Sequence, residues 1–554
     1  MLKPVSRYYW SAALIAIAGL LALLPAVVLG IPAGHDLPNH LRLAVPFYNA
    51  IHLGHLHPGW LAEANGGFGD ASLRFYPPAL YYWLFLTREI TGSLYSGFLL
   101  GFVLLSILGS LGAFFWAKSF VRTSVAVWAA IFYAFIPYRI NQFYGASLLA
   151  EYAAGTVLPF ALAFVHRICR HNRWSDAVGL GISFALLILS NLPLAIIGSL
   201  ALLGYGLLSI DKTTARSSLL RLSTGVLLGL AVSAFYWSTV ISELRWIRNQ
   251  VLTPDEAVTS YFDYRKNFAF SPFSLNNTNS WFANTLALST LSMAFAPLIM
   301  LLWRRRPKLG RDLKVVFALF GFSFFMVTDL SRPLWFAIPK LKEVQFPWRW
   351  LAVCSAAVAL LTAASIPFCR EYFRGRLRPL AIIAMGGVLI SITYSGARIR
   401  DANYLPRFEF GSASNTIFAT NSIDYWLPVW IHKRPQPMAQ PVETTDRVVQ
   451  IEYWQAETRR FSIGPGPAEE IRIRTFYYPH WQAMSSGRTL NTRPAYDGSL
   501  LISIPPEAVD VALQFREPKR VWIALGVSAI GLLSSALLLF YDSRRKISSR
   551  EQCI

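Results

Sequence analysis

Few residues of this 554-residue chain could do chemistry, and those few stand at the ends of apolar runs. Gly34-His-Asp36-Leu-Pro-Asn-His40-Leu-Arg42 follows directly on the first such run. A carboxylate there lies at a lipid–water boundary, where Asp36 could take a proton from an acceptor hydroxyl, or bind a metal, beside a lipid-borne substrate. It would serve equally as the N-cap of a short interfacial helix with Pro38 in its first turn. Glu151 comes after Tyr138-Arg139-Ile-Asn-Gln-Phe-Tyr-Gly and opens an otherwise apolar run. An ionisable residue so placed has a partner or a function, or complements a helix dipole. Arg74 and Arg139 could grip a phosphate as charge-assisted forks, or be ordinary interfacial arginines. Phe346-Pro-Trp-Arg349-Trp opens a later run, and Lys340 and Lys342 just before it add positive field. Arg349 on that side invites a phosphate or carboxylate, while its two neighbouring tryptophans read as headgroup anchors.

Two further signals are weak. His52, His55 and His57 have a spacing that could suit zinc, but they read as loop histidines. Tyr261-Phe-Asp263-Tyr-Arg265-Lys266 reads as an exposed loop rather than a sugar-stacking surface. The chain has no P-loop, dinucleotide fingerprint, Gly-x-Ser-x-Gly or metalloprotease helix. A donor substrate, if there is one, should already be in the membrane.

The elements that must position these residues follow from composition. Hydrophobic residues make up 54% and charged residues only 15%, against about 25% charged in soluble domains. Runs near 20 residues can cross the hydrocarbon, and about twelve are expected, over 10–31, 94–117, 125–137, 152–165, 177–191, 194–210, 223–241, 285–303, 314–327, 348–367, 379–394 and 521–541. The first follows Lys3 and Arg7 and lacks a small-residue cleavage site, so it reads as an anchor rather than a signal peptide. With both termini cytoplasmic, the inner segments hold 24 of the 51 Lys and Arg but only 6 of the 30 Asp and Glu. That places +18 of the +21 net charge inside, so the basic balance reads as a topology signal and not as nucleic-acid binding. Cys169, Cys369 and Cys553 fall at inner ends and Cys354 within a span, so no disulfide is expected.

The outer side carries the bulk. Residues 1–396 form the transmembrane part, with outer segments 32–93, 138–151, 242–284 and 329–347. Residues 397–520 alternate in period two between Gly and Pro clusters, which predicts a small outer β-sandwich. Residues 521–554 return as a final span with a basic tail. The predicted fold is therefore mainly α and polytopic, with one β-rich domain near the C-terminus.

Assembled, Gly34-His-Asp36-Leu-Pro-Asn-His40, Tyr76-Pro-Pro, Glu151 after Tyr138-Arg139, and Phe346-Pro-Trp-Arg349 resemble the GT-C superfamily of integral-membrane glycosyltransferases. More narrowly, the chain resembles the bacterial membrane family labelled 6-pyruvoyl-tetrahydropterin-synthase-related, although it has no zinc-histidine cluster of a pterin synthase. Tyr478-Pro-His-Trp481 and Asp497-Gly resemble the outer β-domain of related large bacterial membrane proteins. The resemblance implies a polyprenyl-phosphate-linked sugar as donor, an envelope lipid, polysaccharide or protein as acceptor, and a bacterial inner-membrane location. It makes Asp36 and Glu151 the catalytic candidates. His35, His40, Arg42, Arg74, Tyr76, Arg139, Lys342 and Arg349 become candidates for holding substrate or phosphate. The Asp-x-Asp pair of the metal-using oligosaccharyltransferase branch is missing, which argues against a divalent metal, and no other cofactor is implied. A transporter or flippase of a lipid-linked or anionic substrate, or a non-catalytic envelope scaffold, are the competing readings.

Overall fold

The computed structural model describes residues 4–248, 262–271, 278–302, 309–372, 378–412 and 426–551. Lys3, Tyr261, Arg304, Arg305, Arg306, Lys308, Arg374, Arg376 and Cys553 lie outside the described residues.

The chain is mainly helical with a β-rich region before its last helix. Among the described residues, ten helices are long and apolar enough to cross a membrane, from Tyr9–Leu29 to Lys519–Arg544. The other two expected spans are helices of 17 residues, Trp174–Ser190 and Arg311–Val327. Two spans are central to the bundle: 83% of an 18-residue apolar stretch of Pro347–Cys369 and 78% of one in Leu149–His171 is buried, against 22% for Lys519–Arg544. Glycines let neighbours approach them closely. A Cβ on Gly112 would meet the Phe160 ring at 2.8 Å, the small-residue contact by which apolar helices pack without a hydrophobic drive.

Two boundaries differ from the periodicity. The expected span 223–241 breaks at Ser233, between helices Ala215–Val232 and Ala234–Glu243. The Ser233 hydroxyl donates to the Gly229 carbonyl at 2.7 Å, a back-bond that competes with the helix ladder and bends it. The expected outer segment 138–151 is mostly helical. Pro137, with its fixed φ, starts a new turn Pro137–Ile140 that runs into a π-helical turn Asn141–Gly145. Only Ala146, Ser147 and Leu148 separate it from Leu149–His171.

Among the described residues, nine strands make up the β-rich region after 441: Val442–Glu443 (β1), Val449–Trp454 (β2), Thr458–Ile463 (β3), Glu469–Phe476 (β4), Trp481–Ser485 (β5), Arg488–Leu490 (β6), Thr492–Pro494 (β7), Ser499–Ile504 (β8) and Val509–Phe515 (β9). They form one sheet in the order β1-β4-β8-β7 and a second in the order β2-β3-β9-β5-β6, with neighbours antiparallel. Alternate residues such as Phe461, Ile463, Ile471, Ile473, Ile502 and Val511 share one buried core, as the period-two pattern requires. Trp60, Phe68 and Phe75 from the first outer segment pack into that same core. The backbone N–H of Phe476 donates to the Phe68 carbonyl at 2.7 Å.

Candidate functional site

The first candidate residue is placed by backbone. After the first span, Ile31–Pro32 pairs antiparallel with Tyr404–Leu405. Gly30 at the junction has φ 127°, and a Cβ there would lie 2.4 Å from the Leu405 carbonyl oxygen, so only glycine fits. Ser147 Oγ accepts from the Gly34 N–H at 2.9 Å and donates to the Pro32 carbonyl at 3.0 Å. The Asp36 N–H donates to the Ala146 carbonyl at 3.3 Å. The start of helix Leu37–His52 is thereby fixed against the start of Leu149–His171.

Asp36 occupies the N-cap of Leu37–His52 with Pro38 in the first turn, but its side chain makes no capping hydrogen bond. The carboxylate instead faces a cavity of about 460 Å³ that it lines together with His35, Asn39, His40, Tyr76 and Arg349. His35 Nε2 lies 3.5 Å from its Oδ1. Burial raises the Asp36 carboxyl above the usual carboxylate range; His35 and Arg349 pull it back, and Glu151 adds to the rise. His40 is buried, with Nδ1 3.2 Å from the Tyr81 hydroxyl, and burial pushes it down to about 3, so it is neutral. Tyr76 stands edge-on to both His40 and Trp426. Burial and the neighbouring Asp36 carboxylate raise its hydroxyl, so it remains protonated as a donor.

Behind one wall lies a buried ion pair. Glu151, 1% exposed, sits in the first turn of its helix. Its Oε1 accepts from the Tyr138 hydroxyl and from Gln142 Nε2 at 3.0 Å, and its Oε2 accepts from Arg349 Nε at 3.0 Å. Arg349 Nη1 donates to the Val344 carbonyl at 2.7 Å. The guanidinium packs over Phe346 at 4.8 Å. The two central spans thus begin at the same end of the bundle, joined by this pair. Both Glu151 oxygens are committed, so this acid orients Arg349 and does not itself line the cavity.

The structure therefore gathers Asp36, His35, His40, Tyr76 and Arg349 around one cavity, with Glu151 directly behind. Four other candidates lie elsewhere. Arg74 is fully buried and committed to carboxylates: Nε and Nη2 donate to Glu243 at 2.7 and 2.8 Å, and Nη1 and Nη2 donate to Glu517. Arg139 is buried inside the helical bundle between the Tyr133 and Tyr152 rings, donating to Thr156 Oγ1 at 3.2 Å. Arg42 is near Asp70, a buried carboxyl pushed up to about 6 mainly by burial and held by Ser72 and Asn65. Lys342 is exposed, its ammonium 4.9 Å from the Phe336 ring.

The closely spaced His52, His55 and His57 diverge. His52 pairs with Glu89, His55 with Glu457, and His57 packs edge-on to Phe235. Among the described residues no three His, Cys, Asp or Glu side chains come together as metal ligands. Gln345, Asn39, Asn191 and Trp426 on the cavity wall were not singled out by sequence. Nor were Tyr138 and Gln142 as partners of Glu151, although their spacing of four puts them on one helical face, a signal the periodicity does carry.

A second polar cluster ties the β-rich domain to the bundle. Glu243, at the end of its helix, accepts from Arg74, from Tyr478 at 2.8 Å, from His480 at 3.1 Å and from Arg520 at 2.9 Å. Burial alone would raise its carboxyl, but hydrogen bonds from His480 and Arg74 outweigh that and hold it far below the usual range.

Solved structures with a similar course include an arabinofuranosyltransferase, an oligosaccharyltransferase and ArnT. The mycobacterial arabinofuranosyltransferase AftD aligns at 15% identity and a TM-score of 0.47, over 72% of this chain and 27% of its own. The Archaeoglobus fulgidus oligosaccharyltransferase aligns at 13% and 0.45, over 79% of this chain and 62% of its own. ArnT from Cupriavidus metallidurans, solved with undecaprenyl phosphate, aligns at 14% and 0.41, over 74% and 76%. The chain thus spans about a quarter of the first of these and under two thirds of the second. No curated protein matches it in sequence. The model of one family does match, over residues 73–397, and the chain belongs to that family, the membrane proteins described as 6-pyruvoyl-tetrahydropterin synthase related.

Proposed function

We propose that this membrane protein transfers a sugar from a polyprenyl-phosphate donor to a hydroxyl of an envelope acceptor, at the outer face of a bacterial inner membrane. Asp36 is the general base. It takes the proton of the acceptor hydroxyl as that oxygen bonds to the anomeric carbon. The bond from that carbon to the phosphate oxygen breaks, its electron pair leaves with polyprenyl phosphate, and the anomeric configuration inverts. Arg349 is placed to bind the phosphate and the charge it gains on leaving. Glu151, Tyr138 and Gln142 hold the guanidinium in position. Such a leaving group needs no proton, so the site's tasks are orientation and charge stabilisation.

One observation carries this reading: a carboxylate free of any capping bond faces the same cavity as a guanidinium fixed from behind. A raised carboxyl is also a stronger base than an ordinary one. The β-rich domain, on the same end of the bundle, would then stand beside the acceptor. The test is sugar incorporation into envelope glycans in cells carrying Asp36→Asn. Loss of incorporation with normal protein levels supports the assignment; full incorporation removes Asp36 from the mechanism.

A further inference from the structure

Seven non-glycine residues among those described have positive φ, and three of them surround one cavity. Gln345 (φ 66°) and Trp426 (φ 64°) line it, and Ser147 (φ 53°) stands between its lining residues Ala146 and Leu148. For bulky side chains this conformation is disfavoured and persists only where the surroundings impose it. At Trp426 they do so through backbone pairing. The Trp426 N–H donates to the Arg248 carbonyl at 3.3 Å, the Arg248 N–H to the Leu427 carbonyl at 2.8 Å, and the Val429 N–H to the Trp246 carbonyl at 3.0 Å. The chain leading into the β-rich domain is thus held as one wall of the cavity. Gln345 is fixed by its N–H to the Lys342 carbonyl at 3.1 Å, four residues before Arg349.

The two strained residues bring complementary chemistry. Trp426 presents an apolar ring, edge-on to Tyr76 at 5.6 Å. Gln345 presents an amide with both donors and an acceptor. An aromatic ring and a carboxamide lining one cavity suit a ring that has apolar C–H faces and hydroxyl edges, and Asn39 and Asn191 add two more amides to the lining, the Asn191 Oδ1 accepting from the Leu194 N–H at 2.9 Å. Neither residue can contribute to proton transfer, and neither can bind a phosphate as an arginine does. We infer that Gln345 and Trp426 are specificity residues that grip the transferred sugar, Trp426 packing on the sugar's ring face and the Gln345 amide hydrogen-bonding to the sugar's hydroxyls. This rests on the glycosyl-transfer reading above.

Glycine at either position removes the side chain while relieving the backbone, so Gln345→Gly and Trp426→Gly should both fold. The full chain, purified in lipid nanodiscs, is titrated with farnesyl phosphate and with farnesyl phosphate carrying glucose, mannose or arabinose. The wild type should bind one of the sugar-bearing lipids about tenfold tighter than farnesyl phosphate, equivalent to about 1.4 kcal/mol. Both glycine variants should bind farnesyl phosphate as the wild type does and lose that preference, with Trp426→Tyr and Gln345→Asn restoring part of it. A preference unchanged in both glycine variants overturns the inference and leaves the glycosyl-transfer reading intact. A wild type that prefers none of the sugar-bearing lipids overturns both.

Discussion

At the residue scale, the proposed function gives Asp36 and Glu151 two different tasks. Asp36 faces the cavity with a carboxyl raised by burial, and Glu151 spends both oxygens on its neighbours. If Asp36 is the base, kcat/KM falls as pH drops through its raised pKa, so the acidic limb of the pH–rate profile should lie above the ~3.9 of an unperturbed aspartate. Stability has the opposite sign. A folded-state pKa above the unfolded value means the fold favours the neutral acid, so ionising Asp36 costs stability at neutral pH. Asp36→Asn should therefore be inactive yet melt at the same temperature or slightly higher, a functional residue held at some cost to the fold. Glu151→Gln should behave otherwise. It leaves Arg349 buried without its anion, which costs about 3–5 kcal/mol, and a thermal melt should show that loss together with weaker donor binding. That Asp36 heads a short helix was legible, because an acid followed by Leu-Pro after an apolar run is a helix-start signal. Arg74 was not, because the acids that consume it, Glu243 and Glu517, are 169 and 443 residues away in the chain.

The scale of elements explains how distant segments meet. Spans could be read from composition because lipid demands length and apolarity. The break at Ser233 and the helical 137–145 stretch could not, because a hydroxyl back-bond and a proline-started turn decide them locally. Gly30 shows how much one junction controls. Gly30→Ala would drive a Cβ into Leu405 and force a left-handed backbone, costing about 1–3 kcal/mol. It should reduce activity along with stability, since Asp36 hangs from that junction. The Glu243 cluster is the other joint, linking helix Ala234–Glu243 to Tyr478 and His480 of the β-rich domain. A depressed carboxyl contributes stability above its unfolded pKa, and that contribution fades as pH falls through the folded value. The domain should thus stay docked at neutral pH and loosen only below about pH 4. Hydrogen exchange around 478–481 across that range checks it: protection lost already at pH 6 would contradict the assignment. Glu243→Gln should loosen the same segment at neutral pH.

At the scale of the whole molecule, the proposed sidedness would reconcile the opposing facts of an apolar chain and a net charge of +21. If +18 of that charge lies inside, cysteines introduced at exposed Arg488 in the β-rich domain should react with an impermeant maleimide in intact spheroplasts, while one at Lys212 should not. The site end of the bundle, where Leu149–His171 and Pro347–Cys369 begin, then faces outward together with the β-rich domain. On the proposed function, that arrangement would bring a lipid-borne donor from the bilayer and an acceptor from the envelope to one cavity. The most direct test is a single-turnover measurement of sugar transfer from a polyprenyl-phosphate donor by the purified protein, comparing wild type with Asp36→Asn at matched donor occupancy. The account predicts donor affinity within about threefold of wild type and a transfer rate lower by about 10²–10⁴-fold; an Asp36→Asn protein that transfers at the wild-type rate would contradict it.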